Sequence, residues 1–138
     1  MASLIYNSCL NDMATGAIDF DTNSFKILLV TSSYTPNKDT HTKRSDVTNE
    51  ISGTGYTAGG VSTAVTVTND TANDRIDINF ADVSWSSATL TAAAGVIYKT
   101  TGTSSTDNLV AYLDFSGNVT STNGTFTLDI TSPLRIQN

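Results

Sequence analysis

Period-two alternation of apolar and polar residues is the feature that most constrains this chain. Ile76, Ile78 and Phe80 point one way while Arg75, Asp77 and Asn79 point the other. Phe126, Leu128 and Ile130 repeat the pattern against Thr125, Thr127 and Asp129, and Val61, Thr63, Val65 and Val67 share a face. Side chains on a strand alternate faces, so this spacing builds sheets with one dry and one wet side. Two further runs are apolar on both faces: SFKILLV (24–30) and NLVAYLDF (108–115). Such runs suit strands covered on two sides.

The punctuation between these runs completes the outline. NDTAND (69–74) followed by RIDINF (75–80) reads as a hairpin. VSW (83–85), ATLTA (88–92) and GVIYK (95–99) read as successive short strands, the first continuing after a bulge. TTGTSSTD (100–107) reads as a polar loop and SGNVTSTNG (116–124) as a turn-rich link. LRIQ (134–137) adds a short edge strand, with Pro133 suiting the break before it. Near the start, Leu10, Met13 and Ala14 have helical spacing, with Asn7 or Ser8 as cap and Gly16 as a left-handed stop. DFDT (19–22) begins a turn.

The expected fold is all-β: a single domain over 1–138 forming an antiparallel β-sandwich, jelly-roll-like, with one short N-terminal helix and a long irregular loop at about 31–60. That loop holds Pro36, four glycines and most of the basic residues, with a short helical turn expected around Ser45–Glu50. Loops of this length in compact domains are functional or tied down by a partner.

At 138 residues the chain buries roughly two-thirds of its unfolded surface, enough to fold without staples. Cys9 has no second cysteine to pair with and reads as a small buried hydrophobe. The N-terminus lacks a secretory pattern and no apolar run is long enough to span a bilayer, so a cytoplasmic site of synthesis is expected. Only 14% of residues are charged, and the net charge of −6 argues against a nucleic-acid or membrane-surface partner. Thr, Ser and Asn supply a wet surface without strong charge.

Side chains capable of catalysis are scarce: one His, one Cys and one Glu. His41 lies in the polar loop without a nucleophile elbow near it. Asp114 sits between Leu113 and Phe115 and reads as a hydrogen-bonded strand residue rather than a tuned acid. Asn69, Asp70, Asn73, Asp74 and Asp77 are dense in oxygen but lack calcium-loop spacing, so they read as a turn. SGTGYTAGG lacks the lysine of a phosphate loop. No catalytic, cofactor or metal residue is assigned. Partner binding is assigned instead to the loop, through Tyr34 and Tyr56 as aromatic anchors and Lys38, Lys43 and Arg44 as a docking charge cluster. Loop packing is an equal alternative for the two tyrosines, and Trp85, sharing a face with Val83, is placed in the core.

The segments 25–60 (FKILLVTSSYTPNKDTHTKRSDVTNEISGTGYTAGG) and LRIQN (134–138) resemble small structural proteins of tailed bacteriophages. The resemblance continues through NDTANDRIDINFADVSW (69–85), VIYKTTGT (96–103), LVAYLDF (109–115) and STNGTFTLDI (121–130). Some members are head decoration, or cement, proteins that brace neighbouring capsomers from outside the shell. The resemblance implies a virion structural role, the major capsid protein as partner, a dimer or trimer, and no catalytic residues. A tail, baseplate or fibre component that binds a receptor or carbohydrate is the alternative it leaves open. A small hydrolase using Asp114 or His41 is a third.

Overall fold

The computed structural model describes residues 2–131 and 134–138. The elements run β1 (Leu4–Ile5), α1 (Asn7–Thr15), β2 (Phe25–Val30), β3 (Val61–Thr63), β4 (Val65–Asp70), β5 (Arg75–Phe80), β6 (Val83–Lys99), β7 (Leu109–Leu128) and β8 (Leu134–Gln137). They form a five-stranded sheet, ordered β1-β7-β6-β2-β3, and a three-stranded sheet, ordered β4-β5-β8. Every pairing is antiparallel.

The alternating runs became strands where their spacing placed them. β4 and β5 make the expected hairpin, from Val65 opposite Phe80 to Asp70 opposite Arg75. LRIQ forms β8, an edge strand on β5; Pro133 lies outside the described residues. α1 ends at Gly16, whose φ of 80° is the left-handed stop that a residue without Cβ adopts freely. Its start differs from expectation. The residue before it is Tyr6, and no side chain caps it. Asn7 reaches instead to Asp39 at 2.6 Å, tying the helix to the long loop.

The second half of the chain differs more. β6 and β7 are single long strands, paired from Val83 opposite Leu128 to Tyr98 opposite Leu109. The expected breaks are absorbed as bulges. Asp114 pairs with Ala94 and Val119 with Ala92, so β7 carries extra residues at 115–118, where Ser116 (φ 60°) and Gly117 (φ 138°) turn out of the ladder. Gly and Asn in SGNVTSTNG therefore mark kinks within a strand, not a link between two.

The bulges also change which face each residue shows. Val83, Trp85, Ala88, Leu90 and Ala92 of β6 face one cluster, whereas Ala94, Val96 and Tyr98 face another. The first cluster lies between the two sheets and joins Phe25, Ile27 and Leu29 to Ile78, Phe80, Phe126 and Leu128. Phe20, Phe25 and Phe80 meet in it, Phe20 stacked on Phe25 and both edge-on to Phe80. Trp85 is buried there, edge-on to Phe126. The second cluster lies on the opposite face of the larger sheet: Leu28, Val30, Val96 and Leu109 with Tyr6, Tyr34, Tyr98 and Tyr112. Each aliphatic side chain fully removed from water contributes about 1.5–3 kcal/mol, so this face needs a cover. Residues 31–60 supply it.

Candidate docking surface

The 31–60 segment was expected to take its shape from a partner. It is shaped by its own domain. The amide of Thr31 bonds to Asn49 O, that of Ile51 to Leu29 O, and that of Arg44 to Asp107 O. Isolated bridges join Val30 to Glu50, Lys43 to Asn108 and Thr54 to Thr89. The helical turn expected at Ser45–Glu50 is a single 3-10 turn at Arg44–Asp46. Asp46 stabilises it by accepting the Thr42 and Lys43 amides at 2.8 and 2.9 Å. Those two bonds hold the Asp46 carboxyl below its usual range.

Tyr34 is 3% exposed and sits in the tyrosine cluster. Its hydroxyl is 2.9 Å from that of Tyr6 and 2.9 Å from Nδ1 of His41, which stacks on its ring. Burial, followed by the bond to Tyr34, pushes the Tyr6 phenol far above its ordinary value. Tyr56 is equally committed. Its hydroxyl donates to Glu50 at 2.7 Å and accepts the Leu29 amide at 3.0 Å. Glu50 also accepts the Gly59 amide at 2.6 Å, and Tyr98 donates to the Gly59 carbonyl at 2.5 Å. Burial pushes the Tyr98 phenol up to about 12, against the pull of Arg44. Both tyrosines therefore follow the packing alternative, and neither presents a ring to a partner.

Arg44 is also used internally. Its Nε meets Asp107 at 2.7 Å and its guanidinium lies 5.2 Å over the Tyr98 ring. Asp107 is 1% exposed. Burial alone raises its pKa, but bonds from the Thr101 amide, Arg44 and the Thr101 hydroxyl outweigh that and hold it below the usual carboxylate range. Of the assigned cluster, Lys38 is exposed and Lys43 half-buried. The five assigned residues thus do not converge on one surface site.

Exposed apolar surface gathers elsewhere. Leu10 (54% exposed), Ile136 (52%) and Ile5 (37%) line one groove with Met13, Ala14, Leu134 and Arg135. α1, β1 and β8 form its walls. Helical spacing grouped Leu10 with Met13 and Ala14 as a core face, but the helix buries Cys9. Leu134 and Ile136, two apart on an edge strand, were the signal that reasoning from the sequence passed over. Arg135 on the groove is held by Asp77 at 2.6 Å.

The other candidate chemistries resolve into structural contacts. Asn73 donates to Asp70 at 2.8 Å, and Arg75 approaches both Asp70 and Asp77 within 3.2 Å, so these oxygens serve a turn and ion pairs. The Asp114 carboxylate accepts the Ser116 amide at the bulge. Among the described residues no three His, Cys, Asp or Glu side chains gather around a point that a metal ion would occupy, and no helix is long and apolar enough to cross a membrane. No family model, curated protein or solved structure matches the chain.

Proposed function

We propose that this protein is a virion structural protein of a tailed bacteriophage, sitting on the outside of the head and bracing neighbouring copies of the major capsid protein. The carrying observation is the apolar groove of Ile5, Leu10, Leu134 and Ile136 on a body whose long loop is already satisfied internally. Contiguous exposed apolar side chains of this kind mark interaction surfaces. The loop does not grip; the α1–β1–β8 side does. Lys38 and Lys43 then steer approach at most, and Tyr34, Arg44 and Tyr56 hold the body rigid.

The finer architecture belongs to the same reading: a β-sandwich, wrapped in jelly-roll fashion. What supports it is that the chain crosses between sheets at Ala64, between β3 and β4, and again at Ala81–Asp82, between β5 and β6, around one shared core. A stiff two-sheet body suits a brace, because contacts to two capsomers must then break together, which raises the effective concentration of each. The Thr-rich exposed face of β6 and β7 would meet solvent. The acidic chain makes no provision for nucleic acid.

Cryo-microscopy of the particle that carries this chain tests the reading. Symmetry-related copies on the head exterior are expected, with α1 and β8 towards the shell. Density confined to the tail, or the loop rather than the groove meeting the shell, overturns it. Leu10→Lys with Ile136→Lys should abolish binding to capsids stripped of the protein while leaving its unfolding transition in place.

A further inference from the structure

The outer edge of β7 is long, open and uncharged. β1 covers it only at Ala111 and Tyr112, and the Ser3 hydroxyl meets the Asp114 amide. From Phe115 to Leu128 no described strand pairs with that side, although β6 holds the other side in register throughout. Open edges are templates for another strand, and proteins guard them with short length, charge or proline. The other edges here are guarded in that way: β1 and β3 are short, β4 carries Asp70 and β8 carries Arg135. Residues 115–128 contain no Asp, Glu, Lys, Arg or Pro.

Within that run, the left-handed residues Ser116 and Asn123 bracket an extended stretch, Val119–Thr122. Its register is pinned by Thr120, whose hydroxyl is 3.1 Å from that of Thr91 on β6. Val119 is 43% exposed and borders an apolar hollow of about 210 Å³ walled by Phe115, Phe126, Thr127 and Leu128.

We propose that this edge pairs antiparallel with the same edge of a second copy about a two-fold axis, centred on Val119–Thr122, making the protein a dimer. Charge favours a second copy as the occupant. Two chains of net charge −6 repel wherever acidic residues face each other, and this is the long edge on which none do. An antiparallel strand is also complementary to itself across a two-fold axis, so one patch serves both partners. The pairing would satisfy backbone groups on both edges and cover Val119.

The test uses the whole protein in solution. Sedimentation equilibrium over the micromolar range should give a dimer, and amide exchange at 119–122 should speed up on dilution. Val119→Lys with Thr122→Lys, both at exposed positions, should give a monomer with an unchanged circular dichroism spectrum, because like charges then face each other across the pair. Ile136→Lys should leave the dimer intact. A monomeric wild type, a trimer, a dimer that survives the lysines, or one broken by Ile136→Lys overturns the inference. It does not rest on the capsid reading: a monomer leaves capsid binding standing, and failure to bind capsids leaves the dimer standing.

Discussion

Replacing Arg44 by Met separates a structural from a docking role for the basic loop. In a docking role the substitution would leave stability unchanged and weaken only partner binding. The structure gives another expectation. Asp107 is 1% exposed, and Met would remove its only cationic partner while the Thr101 amide and hydroxyl remain. Breaking a buried pair from one side costs about 3–5 kcal/mol. The Arg44 side chain is 24% exposed, so water offsets part of that, bringing the ion-pair loss to about 2 kcal/mol. Losing the contact over Tyr98 adds about 0.5–1 kcal/mol. The expected destabilisation is therefore about 3 kcal/mol, which with a typical urea dependence lowers the midpoint by about 1–2 M. Urea unfolding followed by Trp85 fluorescence measures it. A cycle with Asp107→Asn should show that most of the loss is shared between the two residues. A loss below about 1 kcal/mol, or additive single effects, would refute the claim that this pair pins the loop to the sheet.

Three further outcomes follow from the same geometry. Gly60→Ala should destabilise by more than about 3 kcal/mol or prevent folding, because a Cβ there falls 1.8 Å from the Ile27 carbonyl oxygen at a φ of 77°; near-native chemical stability of the variant would contradict this. Asp107 and Asp46 have native pKa values below the unfolded value of 3.8, so their contribution is complete above that pH and lost as pH falls through the native values. Thermal stability should drop below about pH 4, less steeply in Asp107→Asn, and an identical acid slope in the two proteins would remove Asp107 from the account. Cys9 is fully buried, with its thiol pushed up to about 12 by burial and then by Asp12, so it should react with a disulfide reagent at pH 8 only at the rate of unfolding. Rapid stoichiometric labelling of the folded protein would show the helix packing to be wrong.

Much of the secondary structure was legible because its causes are local. Gly16 stops α1 whatever lies elsewhere in the chain, and the alternation in RIDINF makes a strand wherever a dry face is available. SGNVTSTNG misled because a left-handed residue is a turn signal whether it ends a strand or kinks one. Only the continuous ladder of β6 against residues 119–128 distinguishes the two cases. LRIQ was read as an edge strand, but nothing within it tells which element lies opposite Ile136, so the groove with Leu10 was not foreseen.

Local pattern alone determined that this chain forms antiparallel strands, one short helix and a long connection between β2 and β3, because dihedral preference and alternation act over a few residues. Tertiary structure decided what that connection does. Tyr34 meets Tyr6 across 28 positions, Tyr56 meets Leu29 across 27, and Arg44 meets Asp107 across 63. An aromatic or a cation in a polar loop looks available until its distant partner is in place. The second apolar face of the larger sheet supplied those partners, and in covering it the loop used the side chains that had looked free to bind something else.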